Sequence, residues 1–198
     1  MAKVHFTADT HFGHASIIRM AGRPFTSVEE HDQALIDNWN AVVAPADTVF
    51  VVGDFAHKAD NDRARKIFER LRGTKHLVIG NHDSEFVRTG LPWASVMDRV
   101  KITVDGQKIV LDHYPMRSWE GVRSGAIQLY GHVHNRIDVW PNSCDVGVDC
   151  WGYRPVTLLD IRARLDAAPH HLMEEYVLDD GEVPAEGEDV EVVNGVKL

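Results

Sequence analysis

Aspartate, asparagine and histidine recur in five short clusters, and each cluster follows a segment that is typical of a strand. In chain order the clusters are Asp9-x-His11, Gly53-Asp54, Gly80-Asn81-His82-Asp83, His113 and Gly131-His132-x-His134. Ligands of open α/β folds bind at the carboxyl ends of the strands, so we expect these side chains to meet at one rim. One cluster alone is typical of an ordinary turn, whereas five in succession favour a shared site.

The side chains in these clusters are suited to binding metal ions. Imidazole nitrogens with carboxylate and amide oxygens, and no thiolate, favour Mn, Fe, Zn, Co or Ni over Ca or a cysteine-bound structural zinc. Seven candidate ligands exceed the four that one tetrahedral ion takes, and they fit two ions about 3.5–4 Å apart. Because a carboxylate can bind two ions through its two oxygens, an aspartate is the expected bridge.

The elements that must position the clusters form an α/β pattern that becomes strand-rich in the second half. Helices are predicted from Ser27, which forms a capping box with Glu30, to Pro45, then over Asn61–Arg72 and near Arg162–Ala167. Strands are predicted at Lys3–Ala8, Thr48–Val52, His76–Ile79, Val100–Val104, Ile109–Leu111, Ile127–Tyr130, Val146–Val148 and Pro155–Ile161. A hairpin turn at Asp105-Gly106 indicates an antiparallel or mixed sheet in the second half.

Length and charge narrow the class of protein. A chain of 198 residues with 44% hydrophobic and 26% charged residues is typical of one globular domain. The net charge of −9 is concentrated toward the end of the chain, and without a basic face we expect no stable binding of DNA or RNA. We expect a catalytic domain over residues 1–168 and an acidic extension over residues 169–198 that is partly an edge strand or flexible.

The expected location is the cytoplasm. No apolar run has the length that a membrane span needs, and the N-terminus lacks the apolar core of a signal peptide. Cys144 and Cys150 have neither a disulfide framework nor zinc-knuckle spacing, which predicts reduced thiols. No membrane partner is therefore expected, and the sequence leaves the oligomeric state open.

The ordered motifs Asp-x-His, Gly-Asp, Gly-Asn-His-Asp, His and Gly-His-x-His, over residues 9–134, resemble those of the calcineurin-like metallophosphoesterases. This resemblance implies a four-layer α-β-β-α sandwich with two mixed sheets and a dinuclear metal site at one rim. The first ion would be bound by Asp9, His11 and His134. The second ion would be bound by Asn81, His113 and His132, and Asp54 would bridge the two ions. Manganese is the expected metal, with Fe, Zn, Co and Ni as alternatives.

The same resemblance implies roles for the two residues that follow Asn81. His82 would face the substrate rather than a metal, and Asp83 would orient the His82 ring through a hydrogen bond. The implied reaction is an in-line displacement in which a hydroxide between the two ions attacks phosphorus. His82 would protonate the leaving oxygen, and Asn81 and His82 would stabilise the charge that grows on the phosphoryl oxygens.

The residues after Asp54 separate the branches of this family. They lack the arginine that the Ser/Thr protein phosphatases carry in this motif. Gly-Asp-x-x-His, ending at His57, resembles the repair nucleases, but this chain is too short for their DNA-binding domains. A small phosphodiesterase acting on cyclic nucleotides (2′,3′ or 3′,5′) or aryl diesters is the expected class. A phosphomonoesterase or nucleotidase on the same site, and a non-catalytic binding scaffold, are the alternatives.

Three further residues are candidates for substrate contact. His57 is expected to touch substrate or orient the bridging aspartate, and His14 either lines the pocket or has a structural role. Arg117 is either a phosphate contact or a surface arginine, and Arg19 and Arg23 are expected to be surface arginines.

Overall fold

The structure is a computed structural model that describes residues 2–168, 192–193 and 196–197. Its strands are β1 Val4–Thr7, β2 Thr48–Val52, β3 Thr74–Val78, β4 Ser95–Met97, β5 Arg99–Val104, β6 Gln107–Asp112, β7 Ile127–Tyr130, β8 Ser143–Asp145, β9 Val156–Thr157, β10 Val192–Val193 and β11 Val196–Lys197. Its α-helices are α1 Ala15–Met20, α2 Val28–Val42, α3 Asn61–Arg70 and α4 Leu158–Ala167. A π-helical turn at Phe86–Gly90 and 3₁₀ turns at Val122–Ser124 and Val148–Cys150 complete the described elements.

Two mixed sheets form the centre of the fold. The first has the order β4-β3-β2-β1-β9, in which β9 runs antiparallel to β1 and the other neighbours are parallel. The second has the order β10-β11-β5-β6-β7-β8, in which β6, β7 and β8 are parallel and the remaining pairs antiparallel. The α/β sandwich with two mixed sheets that the resemblance implies is confirmed.

Strand β2 shows why the sheets stack and why helices cover the first one. Its side chains alternate between faces, so Phe50 lies in the core between the two sheets while Val49 lies in the core beneath the helices. Trp39 of α2 and Phe68 of α3 pack in this second core. Burial on both faces explains the continuous apolar sequence of this parallel strand, and it holds the loop after β2 on a rigid base.

The late part of the chain differs from the sequence prediction. Only Val156–Thr157 of the predicted strand Pro155–Ile161 is extended, and α4 begins at Leu158. Thr157 and Asp160 form a reciprocal capping box that starts this helix. The predicted strand Val146–Val148 is also wrong, because β8 ends at Asp145 and a 3₁₀ turn begins at Val148.

The first predicted helix is confirmed, but only one of the two hydrogen bonds of the expected Ser27–Glu30 capping box is found. The Ser27 side chain accepts from the Glu30 main-chain nitrogen at 3.1 Å. The Glu30 carboxylate instead accepts from the main-chain nitrogen (2.7 Å) and hydroxyl (2.6 Å) of Thr26. The short helix α1 was not predicted, and α3 ends at Arg70 rather than Arg72.

The predicted acidic extension lies mostly outside the described residues. Of residues 169–198, the structure describes two short strands, β10 and β11, and Lys197 of β11 pairs with Thr103 of β5. Among the helices that are described, none has the length and apolar character to cross a membrane.

Candidate metal centre

Five loops carry the predicted ligands, and each loop begins near the end of a strand: Asp9 and His11 after β1, Asp54 after β2, Asn81 after β3, His113 after β6, and His132 and His134 after β7. The main-chain nitrogen of Asp9 donates to the carbonyl of Gly53 (3.0 Å), and the main-chain nitrogen of His11 donates to the carbonyl of Asp54 (2.9 Å). From the second sheet, the His132 nitrogen donates to Asp9 Oδ2 at 2.8 Å. The structure therefore brings the predicted ligand residues of both sheets to one rim.

The backbone at this rim is strained. Five ligand residues adopt the left-handed conformation, with φ from 49° to 73°: Asp9, His11, Asp54, His132 and His134. Each such conformation costs on the order of 1 kcal/mol or more and persists where the surroundings enforce it, typically at functional sites. Two motif glycines permit the crowding, because a Cβ on Gly80 would collide with Asp54 and one on Gly131 with the Asp9 carboxylate.

The first half of the centre consists of Asp9, His11 and His134. One ligand atom from each lies within 4.8 Å of the others. Asp9 Oδ1 and His11 Nε2 are 4.0 Å apart, both are buried, and neither has a hydrogen-bond partner within the part of the chain that the structure describes. Buried polar atoms are almost always satisfied, so this pair indicates a ligand position that a cation would fill.

The second half consists of Asn81, His113 and His132. Asn81 Oδ1 lies 3.0 Å from His113 Nε2 and 2.9 Å from His132 Nδ1. The other ring nitrogen of His113 donates to the carbonyl of Val52 at 2.9 Å, which leaves the Nε2 lone pair for a metal. Asn81 and His132 are exposed whereas His113 is buried, so this half opens to solvent.

Asp54 lies between the two halves. Its Oδ2 is 3.5 Å from His11 Nε2 and 3.5 Å from His113 Nε2. Asp9 also comes within 4.8 Å of ligand atoms of both Asp54 and His113. Both carboxylates therefore face both halves. Asp54 Oδ2 alone is equidistant from the two imidazoles, whereas Oδ1 accepts from the His82 main-chain nitrogen, so one oxygen rather than the expected two lies between the halves.

The electrostatics of the centre fit positive ions. Burial raises the pKa of Asp9 to about 7 and lowers the pKa of His11 to about 2. At Asp54, burial is outweighed by the nearby His113 imidazole, whose Nε2 lies 3.5 Å from Oδ2, so the pKa of Asp54 falls to about 2. The same contact overcomes burial at His113 and raises its pKa to about 9. A divalent cation in each half would keep Asp9 ionised and replace the proton on His113, and the nitrogen and oxygen donors suit such ions.

His82 and Asp83 differ in position. The His82 ring is exposed, its centroid lies 5.5 Å from that of His11, and its main-chain nitrogen donates to Asp54 Oδ1 at 2.8 Å. The predicted hydrogen bond from the His82 ring to the Asp83 carboxylate is wrong, because the described residues contain no such bond. The Asp83 carboxylate instead accepts from the main-chain nitrogens of Gly80 (2.8 Å), Asp54 (3.0 Å) and Phe55 (2.8 Å). Asp83 thus joins two loops of the centre rather than orienting the His82 ring.

Two of the candidate substrate contacts lie beside His82. The His57 ring centroid is 4.3 Å from that of His82 and 4.5 Å from that of His14. His14 is buried, and its Nδ1 has no hydrogen-bond partner among the described residues. Arg117 is exposed and takes part in none of the hydrogen bonds or ion pairs found in the described part of the chain. The structure thus groups the two histidines with the centre but gives Arg117 no contact there.

Two residues that contact the ligands were missed. Asp149 accepts from His134 Nδ1 at 2.7 Å and is paired with Arg23, whose side chain is fully buried rather than at the surface. The sequence carries no signal for this contact, because Arg23 and Asp149 are 126 positions apart and neither belongs to a motif.

Comparisons with known proteins show the family and the fold. A family model described as calcineurin-like phosphoesterase matches residues 2–184. The chain is 36% identical to "Uncharacterized protein MJ1445" of Methanocaldococcus jannaschii, over 80% of this chain and 88% of that protein. It is 25% identical to the gene 66 protein of Mycobacterium phage L5, over 77% of this chain and 89% of that one. Its fold is similar to that of protein AQ665 from Aquifex aeolicus, with a TM-score of 0.68 and 24% identity over 82% of this chain and 99% of that chain.

Proposed function

Since the chain belongs to the calcineurin-like phosphoesterase family and is therefore a metal-dependent phosphoester hydrolase, we propose that it cleaves small phosphodiesters at a centre of two divalent cations. The observation that carries this proposal is the position of Asp54 Oδ2, 3.5 Å from one imidazole of each half. When bound, the two cations would supply a water of lowered pKa as nucleophile and positive charge for the phosphoryl oxygens. Manganese is the first ion to test.

The residues of this chain would orient the diester and move the proton. The Asn81 oxygen points at two imidazoles, so its amide nitrogen is free to donate to a phosphoryl oxygen. The His82 main chain is fixed on Asp54 while its ring is exposed at the rim. That ring can give its proton to the leaving oxygen as the P–O bond breaks, which is the work of a general acid.

The charges around His82 favour a diester over a monoester. Burial is the main cause that lowers the pKa of His14 to about 4, and burial also lowers the pKa of His57. Both rings are therefore neutral near pH 7 and suit a substrate with one negative charge. Lys58 adds a positive charge close to them, but it is exposed to water. Because solvent weakens an exposed charge, Lys58 gives a doubly charged monoester little extra binding energy.

A substrate screen tests this proposal. Metal-loaded protein would be assayed on a bis-aryl phosphate, a mono-aryl phosphate and both classes of cyclic nucleotide, with Mn, Fe, Zn, Co or Ni added. We expect kcat/KM for the diesters to exceed that for the monoester by at least about tenfold, a difference of about 1.4 kcal/mol. A preference for the monoester would establish the phosphomonoesterase alternative. No turnover with two ions bound would establish the binding scaffold.

The charge of the chain bears on the class of partner that we propose. The near-neutral catalytic part of the chain supports a small substrate rather than DNA or RNA. We also propose a cytoplasmic location. Retention of labelled duplex DNA on the protein at physiological salt would contradict the proposed substrate class.

A further inference from the structure

We propose that Arg23 and Asp149 are positioning residues that set the affinity of the first half of the centre for its cation. This inference rests on the proposed dinuclear function and adds a determinant that the sequence motifs do not contain. The Arg23 side chain is fully buried, the Asp149 side chain is 7% exposed, and the two form a bidentate ion pair with Nε–Oδ1 and Nη2–Oδ2 distances both of 2.8 Å.

The Asp149 carboxylate sets the proton position on His134. An ionised carboxylate only accepts hydrogen bonds, and Asp149 Oδ2 lies 2.7 Å from His134 Nδ1. The proton of His134 must therefore be on Nδ1, which leaves the Nε2 lone pair available to a cation. A carboxylate behind a ligand imidazole both fixes the ring and makes it a stronger donor to the metal.

Arg23 holds the other side of the first half through the main chain. Its Nη2 donates to the carbonyl of Asp9 at 2.7 Å, and its Nη1 donates to that of Thr10 at 3.1 Å. A guanidinium has five N–H donors in a fixed plane, and here two go to Asp149, two to these carbonyls and one to His31. One side chain thus links Asp9 to the carboxylate behind His134.

The same network continues into helix α2. Arg23 cannot accept a hydrogen bond, so its 2.7 Å contact with His31 Nε2 makes that nitrogen the acceptor and puts the His31 proton on Nδ1. His31 Nδ1 then donates to Asp32 at 2.9 Å. Asp32 accepts from the Gly13 main-chain nitrogen, with both distances 3.1 Å, and from Arg63 of α3. The loop that carries Asp9 and His11 is therefore fixed at Asp9, Thr10 and Gly13 by two side chains.

Binding of Mn²⁺ to Asp149→Asn and Arg23→Lys tests this inference without reference to activity. Asparagine loses the ion pair, and lysine has one ammonium group that cannot reach all the acceptors of Arg23. We expect calorimetry to show one of two Mn²⁺ sites weakened about 10–100-fold and the other within about threefold. Electron paramagnetic resonance at two Mn²⁺ per chain should show a spin-coupled pair in the wild-type protein and a larger signal of isolated ions in each variant.

Asp47→Asn is the matched control. Asp47 is a buried carboxylate bound to His5 (3.1 Å) and to two main-chain nitrogens, but it lies at the opposite end of β1 and β2. We expect this variant to lose stability and keep both Mn²⁺ affinities. If a folded Asp149→Asn or Arg23→Lys variant keeps both affinities, the positioning role is wrong; if Asp149→Asn does not fold, Arg23→Lys alone decides. A wild-type protein that binds fewer than two ions would instead refute the dinuclear function.

Discussion

The two halves of the centre are held by different kinds of support. In the first half, Asp9 and His11 are buried. The Arg23 side chain donates to the Asp9 carbonyl, and the Asp149 carboxylate accepts from His134. In the second half, His113 is fixed by a main-chain carbonyl, and Asn81 and His132 are exposed. The difference suggests a division of work, in which the first half keeps its cation and the second half opens to solvent and substrate.

Replacing the carboxylate that faces both halves should weaken the binding of both cations at once. Asp54→Asn leaves one neutral oxygen where two imidazoles now face a carboxylate, so both cations lose a ligand. We expect diester turnover to fall by more than about 10⁴-fold, beyond what losing one proton-transfer group costs. Elemental analysis after gel filtration should find fewer than two ions per chain. Two retained ions with near-normal turnover would show that Asp54 is not shared.

Removing His82 should leave both halves intact and stop the chemistry. His82 belongs to neither metal-binding group and contacts Asp54 through its main chain. We expect His82→Ala to keep two ions and lose about 10²–10⁴-fold in kcat, as for other general acids. His76→Gln is the control, because His76 lies earlier on β3 and is bonded to Ser95. Loss of metal in His82→Ala would mean that the residue is a ligand.

A chelator should separate the halves in the wild-type protein. Two ligands of the second half are exposed and its third is held by one carbonyl. We therefore expect the second half to bind its cation with an affinity about tenfold or more below that of the first half. Groups that hydrogen-bond to a metal ligand contribute a difference of this size. Stepwise addition of EDTA to Mn-loaded protein should give two stages, with activity lost in the first. Loss of both ions in one stage would contradict the difference in support.

Asp83 tests the junction between the halves with the smallest effect. Its carboxylate accepts three main-chain hydrogen bonds that join the loop of Asn81 to the loop of Asp54. Asp83→Asn places an amide N–H against main-chain donors, which should lower the free energy of unfolding by about 1–3 kcal/mol. Urea denaturation of the metal-free protein measures this loss, and turnover per folded molecule should change only a few fold. A loss in kcat as large as that of His82→Ala would restore the predicted role of Asp83 behind His82.

The rim was predictable because its signals are local. Each ligand follows a buried strand within a few residues, and Gly80 and Gly131 mark the points where loops approach too closely for a Cβ. Short-range patterns of this kind, together with the parallel order of the strands, place side chains at one edge without further information.

The support behind the rim was not predictable because it depends on long-range packing. Asp149 finds Arg23 across 126 positions, and no periodicity or motif links them. Asp83 follows His82 directly in the sequence, which favours a role in orienting the His82 ring. Its carboxylate instead accepts hydrogen bonds from main-chain nitrogens of the surrounding loops. The difference over Pro155–Ile161 has a local cause, because the Thr157–Asp160 capping box starts a helix within a run of β-branched and apolar residues that is typical of a strand.

The central claim, two cations around one shared carboxylate, is tested most directly by anomalous diffraction from crystals grown with Mn²⁺. We expect two peaks about 3.5–4 Å apart, with Asp54 oxygen within about 2.2 Å of each. The first peak should lie against Asp9, His11 and His134, and the second against Asn81, His113 and His132. A single peak, or two peaks of which Asp54 touches only one, would contradict the account.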